Sequence, residues 1–130
     1  YAIGTNEHAW VYDNERPLHE VEMPPFRIDR TPVTNRQYRA FVEDGGYADA
    51  RLWRAAGWEW RQDAAVEAPQ FWRREGAGDW SRRRYGRQEE LPLDEPVQHV
   101  CWFEADAFAT WLERHGIPLE AEPPPSRDVP

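Results

Sequence analysis

The stretch that decides the fold is Pro25-Phe26-Arg27-Ile28-Asp29-Arg30-Thr31-Pro32-Val33-Thr34-Asn35, which leads directly into a predicted helix. Thr34 is suited to cap that helix, and Gln37 lies three residues further on, at the spacing of a capping box. Val33 precedes the cap and Tyr38 follows it by four residues, as in a hydrophobic staple. The sequence therefore predicts a helix that begins immediately after Thr34.

A second helix entry of the same kind occurs later, at Pro96-Val97-Gln98-His99-Val100-Cys101-Trp102. Here Cys101 takes the cap position and Glu104 the reciprocal position of the box. Because cysteine is a poor helix cap, we expect this box to be only half formed. The helix after it should place Trp102, Ala105, Ala109 and Leu112 on one stripe, with Phe108 beside it.

Between and around these entries the chain predicts short elements joined by irregular segments. The predicted elements are a strand end at 1–4, extended pieces at 20–23 and 26–29, helices at 35–43, 49–56 and 102–115, and a hairpin of 70–74 with 80–84. Gly57 is expected to end the middle helix. The following Trp58-Glu59-Trp60 should then be extended, with both rings on one face.

Composition favours one globular domain and argues against two classes of partner. The 130 residues include eight Trp, which can build a core although the mean hydropathy is −0.94. A net charge of −8 disfavours binding to nucleic acid. No apolar stretch approaches the roughly 18 residues that cross a bilayer. The single cysteine excludes an internal disulfide and fits a cytoplasmic location.

Several motifs along the chain occur in the order of a known family. They are Asp13-Asn14-Glu15-Arg16-Pro17-Leu18-His19-Glu20-Val21, Phe41-Val42-Glu43-Asp44-Gly45-Gly46-Tyr47, Gly57-Trp58-Glu59-Trp60 and Glu104-Ala105-Asp106-Ala107-Phe108-Ala109. With the two helix entries, they resemble the first half of the formylglycine-generating-enzyme-like (sulfatase-modifying factor) domain. The narrower resemblance is to the iron-dependent sulfoxide synthases of ergothioneine biosynthesis. It implies an α+β, modified C-type-lectin fold that is incomplete, with short strands, two main helices and much irregular structure.

The resemblance also implies a division of labour within a longer enzyme. Residues 1–122 would be the N-terminal part of the lectin-like domain, and 123–130 a Pro-rich tail. The complete enzyme would join a cysteine-derived thiol to trimethylhistidine, both small-molecule substrates, with oxygen. Iron(II) would be held outside this chain, by an N-terminal helical domain. Since the family's substrate-facing residues lie beyond Glu122, we assign no catalytic, cofactor-binding or metal-binding residue here, and this chain alone should be inactive.

Two alternatives remain open, and several polar residues have a structural interpretation. The alternatives are a generic formylglycine-generating-type domain and a non-catalytic lectin-like binding module.

We expect His19 and His99 to form structural hydrogen bonds, and Cys101 to be a substituted cap rather than a functional thiol. The pairs Glu89-Glu90 and Asp94-Glu95 are expected in a polar loop as exposed charge, and Arg82-Arg83-Arg84 as a solvated strand or loop rather than an anion site. For Trp53, Trp58, Trp60, Trp72 and Trp80, core packing is favoured over a stacking platform for a sugar or cation.

Overall fold

The computed structural model describes residues 1–7, 10–26, 28–76 and 78–116. Its strands are β1 (Ala2–Ile3), β2 (His19–Glu20), β3 (Trp72–Glu75), β4 (Asp79–Arg84) and β5 (Arg87–Glu90). Its α-helices are α1 (Asn35–Glu43), α2 (Ala55–Asp63) and α3 (Trp102–His115), and two 3-10 helices span Asp13–Glu15 and Ala50–Leu52. The α+β prediction is confirmed. The predicted tail at 123–130 lies outside the described residues.

Both main helices begin where the sequence predicted, and for the predicted reasons. The Thr34 amide donates to Gln37 Oε1 at 2.8 Å, and the Gln37 amide donates to Thr34 Oγ1 at 3.4 Å. At α3 the Cys101 amide donates to Glu104 Oε2 at 2.6 Å. These bonds satisfy amides that the first helical turn leaves without partners.

The two helix entries also pair with each other. Thr34 and Pro96 form an isolated antiparallel bridge, and the Val97 amide donates to the Val33 carbonyl at 2.9 Å. This pairing holds the N-terminal ends of α1 and α3 together, although they are far apart in sequence. The two helix entries, which have similar sequences, therefore also contact each other.

The region around Gly57 differs from the prediction. The expected helix over 49–56 is only a 3-10 turn, and α2 runs through Gly57, so the extended form predicted for Trp58-Glu59-Trp60 is wrong. The middle helix therefore exists, but it lies further along the chain than predicted, at Ala55–Asp63. The glycine is tolerated because α3 packs closely there: a Cβ at this position would lie 3.1 Å from Phe103 Cδ1.

The three-stranded sheet extends the predicted hairpin. Strands β3 and β4 pair as expected, and β5 pairs antiparallel with β4 in the order β3-β4-β5. The β4–β5 turn consists of Tyr85 and Gly86, both with positive φ (48° and 79°), as type I′ hairpin turns require. The sequence analysis missed β5 because Arg87–Glu90 is wholly polar and lacks an apolar alternation.

The core forms where α1, α3 and the sheet meet. Tyr38 and Phe41 of α1 are almost fully buried, as their spacing predicted, and Tyr38 stacks on Phe108 with centroids 5.0 Å apart. On α3 the buried face contains Phe108 and Trp111, whereas Trp102 is 61 % exposed. The predicted stripe on α3 was therefore wrong, because the larger rings of the adjacent stripe take the core position.

The described residues among the first 32 form an exposed N-terminal arm. Strands β1 and β2 pair within it, and none of its described residues is buried. The extended piece predicted at 20–23 shortens to His19–Glu20, and 26–29 forms no strand in its described residues. The interrupting prolines explain this, since proline cannot donate to a ladder. Among the residues described, we find no helix that is long and apolar enough to span a membrane.

Candidate functional site

A cleft of about 930 Å³ opens between the end of α1, the segment after α2, the β3–β4 strands and the start of α3. Its walls contain the indoles of Trp60, Trp72 and Trp80, together with the acidic residues Glu43 and Glu104. Its size and aromatic lining are typical of clefts that take small organic ligands. It is the candidate site that we call the tryptophan cleft.

The tryptophans are divided between the core and this cleft. Trp53 and Trp72 are buried, so core packing is confirmed for both. Trp53 Nε1 donates to the Gly46 carbonyl at 2.8 Å. Trp80 is only half-buried: its Nε1 donates to Glu43 Oε1 at 3.1 Å, and Arg74 lies over its ring at 6.0 Å. Arg74 therefore covers one face of the Trp80 ring.

Behind the cleft lies a buried polar network that the sequence analysis did not identify. Glu104 is 3 % exposed, and its Oε1 accepts a hydrogen bond of 2.6 Å from the Tyr47 hydroxyl. The Tyr38 and Tyr47 hydroxyls are 3.2 Å apart, and Tyr38 also donates to the Glu104 carbonyl at 3.4 Å. Burial raises the pKa of both tyrosines, which keeps their hydroxyls protonated as donors.

Glycine at position 46 positions this network. A Cβ there would lie 2.1 Å from Phe41 Cε2, inside the van der Waals radius of a buried ring. Gly45 before it has a φ of +82° and ends α1, as the sequence predicted. The turn can therefore approach the core only with glycine at position 46, and this approach brings Tyr47 to Glu104.

Cys101 and His99 line the cleft without forming a recognisable reactive pair. Burial raises the pKa of the Cys101 thiol, which disfavours the nucleophilic thiolate. His99 contacts the Phe71 ring edge-on, with centroids 4.9 Å apart. The hydrogen bond predicted for His19 is confirmed, because its Nδ1 lies 2.9 Å from the Pro17 carbonyl. The structural hydrogen bond expected for His99 stays a prediction. So does the expectation that Cys101 is a substituted helix cap and not a functional thiol.

The described residues do not fit an iron(II) site. Across the described segments, no group of three histidine, cysteine, aspartate or glutamate side chains could hold a metal ion. His115, for example, has Nδ1 2.8 Å from the Trp111 carbonyl and Nε2 3.2 Å from Asp44 Oδ2.

The prediction for the arginine run and the paired carboxylates is confirmed in part: Arg83, Arg84 and all four carboxylate residues are exposed, and Asp94-Glu95 lie in a loop, but Arg82 and strand β5 differ from it. Arg82 is buried, and its guanidinium lies 2.7 Å from Glu89 Oε1 and 2.7 Å from Glu95 Oε2. Burial lowers the pKa of Arg82, but the bonds to the two carboxylates outweigh this effect and raise it. Glu89 and Glu90 lie in β5 instead of a loop, and of the three arginines only Arg82 is withdrawn from solvent.

Comparison with known proteins identifies the family. The family model described as "Sulfatase-modifying factor enzyme 1-like domain" matches residues 1–123. The chain belongs to this family. The match covers the arm, both helix entries, the sheet and α3, so the resemblance seen in the sequence motifs is confirmed.

Individual relatives narrow the comparison. The chain is 49% identical over 116 residues to a hercynine oxygenase of Mycolicibacterium thermoresistibile, and 51% identical over 110 residues to one of Mycobacterium tuberculosis. These matches cover 89% and 85% of this chain but only 25% of each relative. A formylglycine-generating enzyme of Thermomonospora curvata is 33% identical over 132 residues, covering 92% of this chain and 42% of the enzyme. The chain thus spans about a quarter of the length of the hercynine oxygenases.

Proposed function

We propose that residues 1–122 are the N-terminal part of the lectin-like domain of an ergothioneine-biosynthesis sulfoxide synthase, followed by a Pro-rich tail at 123–130. The observation that carries this proposal is the difference in identity between relatives: 49–51% to hercynine oxygenases against 33% to a formylglycine-generating enzyme. The complete enzyme would use oxygen and iron(II) to join the sulfur of a cysteine-derived thiol to the imidazole of hercynine, which is trimethylated histidine.

Within such an enzyme this segment would be a scaffold. The paired helix entries and the Tyr47–Glu104 hydrogen bond fix α1, α3 and the turn between them. Iron(II) would be bound by a separate N-terminal helical domain, and catalytic side chains would come from the remaining lectin-like half. Small-molecule substrates and a cytoplasmic location belong to the same proposal, while nucleic acid and membrane partners do not.

A chimeric enzyme tests the proposal directly. The matching segment of the M. thermoresistibile hercynine oxygenase is replaced by residues 1–116 of this chain. Purified chimera is then incubated with iron(II), oxygen, hercynine and either cysteine or γ-glutamylcysteine. We expect sulfoxide product, detected by mass spectrometry, because about half of the segment's residues are already identical.

The control is a second chimera with the corresponding segment of the T. curvata formylglycine-generating enzyme. It should fold poorly or lose turnover, since its packing residues come from a more distant relative. A folded, monodisperse first chimera that gives no sulfoxide with either thiol would refute the proposal. Conversion of a peptide cysteine to formylglycine, by a chimera built on the T. curvata enzyme, would instead favour the generic formylglycine-generating alternative.

A further inference from the structure

The apolar stripe that the sequence predicted for the core lies on the outer face of α3. Its members share one side of the helix, because they recur at intervals of three, four and three residues: Trp102, Ala105, Ala109 and Leu112. The first three are exposed and Leu112 is half-buried. Trp102, at 61 %, is the only exposed large apolar side chain in the described α-helices. An exposed Trp within an apolar stripe is typical of a surface that binds another protein.

The order of large and small residues in the stripe is the same when read from either end. Each end has a large side chain, and each inner position has an alanine. When two copies of α3 lie antiparallel about a two-fold axis, Trp102 of one copy faces Leu112 of the second copy, and Ala105 faces Ala109. The central alanines allow the helix axes to approach closely, which brings the large end residues into contact. The stripe is therefore complementary to itself.

The charges beside the stripe fit the same antiparallel arrangement. Arg54 lies over the Trp102 ring, 5.4 Å from its centroid, and its side chain is 69 % exposed. Its pairing with Asp106, at 2.9 Å, holds it there. Glu113 is exposed and directly follows Leu112. In the antiparallel pair Glu113 of the second copy therefore comes close to Arg54, so that the interface gains two contacts between opposite charges.

A parallel arrangement lacks this complementarity. It would place Arg54 beside Arg54 and Glu113 beside Glu113, and like charges that face each other across an interface are unfavourable. It would also align the two helix dipoles, whereas the antiparallel pair sets the positive end of each helix beside the negative end of the other. Both effects favour antiparallel packing.

We propose that the stripe on α3 is a self-association surface, on which a second copy of the chain binds with its own α3 antiparallel. A helix of 14 residues is about 21 Å long. One pair of such helices buries less than the roughly 1,200 Å² of a stable interface. We therefore expect a weak, concentration-dependent dimer with a Kd of about 10–300 µM. This inference does not depend on the proposed enzymatic function.

Sedimentation velocity of the full chain, from about 10 µM to 1 mM, tests the inference. Trp102→Ala should weaken dimerisation about 30-fold or more, because each dimer contains this residue twice. The matched control, Trp10→Ala, removes the same side chain from a position that is 97 % exposed and outside the stripe. It should dimerise within about twofold of wild type. Circular dichroism checks that both variants keep their helices.

Two results would refute the proposal. Equal weakening in the two variants would show that the association does not use the stripe. A wild-type chain that stays monomeric at about 1 mM, where binding would be weaker than about 4 kcal/mol, would show that something other than a second copy covers it.

Disulfide cross-linking tests the antiparallel register and leaves Trp102 in place. Cys101→Ser first removes the native thiol, and serine is the better helix cap. In this background, Ala105→Cys and Ala109→Cys are introduced in two separate proteins. Position 105 of one copy should face position 109 of the other, within disulfide reach, so a mixture should form the mixed disulfide several times faster than either symmetric one. Equal rates, or faster formation of a symmetric disulfide, would overturn the proposed arrangement.

Discussion

Replacing Tyr47 with phenylalanine removes one hydroxyl from the buried network and leaves the ring in place. That hydroxyl donates to Glu104 Oε1 at 2.6 Å, and the carboxylate is 3 % exposed. Without it, Glu104 keeps the Cys101 amide as a partner, at 2.6 Å from its other oxygen. The substitution therefore leaves one carboxylate oxygen buried without its side-chain donor.

The cost follows from the charge and the distance. A hydrogen bond to a charged group contributes about 1.5–3 kcal/mol, and a neutral one about 0.5–1.5 kcal/mol. Tyr38→Phe is the matched control because it removes the same atom from an equally buried ring, but only longer bonds of 3.2 and 3.4 Å to neutral oxygens. We expect a loss of about 2–3 kcal/mol for Tyr47→Phe and about 1 kcal/mol for Tyr38→Phe.

Urea unfolding followed by tryptophan fluorescence and circular dichroism measures both losses. With an m-value of about 1.5–2 kcal/mol/M, Tyr47→Phe should lower the midpoint by about 1–2 M and the control by about 0.5 M. Combining Tyr47→Phe with Glu104→Gln should give a coupling of at least about 0.5 kcal/mol. Equal losses in the two tyrosine variants, or no coupling, would show that the short bond to Glu104 does not stabilise the fold.

Three further predictions concern the buried tyrosines, Gly46 and the N-terminal arm. Because burial raises the pKa of both network tyrosines above 10.0, their stabilisation is complete below about pH 10. It should be lost above that pH by up to about 1.4 kcal/mol per unit for each tyrosine, with a shallower fall of the urea midpoint in Tyr47→Phe. Gly46→Ala should lose about 3 kcal/mol of unfolding free energy, because the added Cβ would lie 2.1 Å from the Phe41 ring. The control Gly78→Ala, which has no neighbour within 4 Å, should change the unfolding free energy by less than about 0.5 kcal/mol. Similar losses in both variants would contradict the clash. Deleting residues 1–30 should preserve cooperative unfolding in urea, because none of the described residues there is buried; loss of the transition would show that the arm belongs to the core.

Local chemistry explains why the two main helices could be predicted. The capping bonds of Thr34 with Gln37, and of Cys101 with Glu104, join residues three apart, so spacing alone reveals them. The αL end of α3 at Gly116 is equally local, with a φ of +59°. Such signals place helix boundaries, but they do not state which face of a helix is buried.

The incorrect predictions concern elements whose structure depends on contacts with other segments of the chain. Gly57 signals a helix end in isolation, but in the fold it provides space for Phe103 of α3. Strand β5 contains no apolar residue and is held by pairing with β4, including Arg82 opposite Glu89. In both cases a contact with another segment, the helix α3 or the adjacent strand β4, overrides the local preference.

The candidate sites depend on the same distant contacts. Arg82 is withdrawn from solvent by Glu89 and Glu95, and only this distinguishes it from the two arginines that follow in the sequence. The sequence shows three equal charges, and the fold buries the first while Arg83 and Arg84 stay exposed. Phe71 and His99, which come from separate segments of the chain, both line the tryptophan cleft. The cleft therefore exists only once those segments pack together, and no local sequence signal could have revealed it.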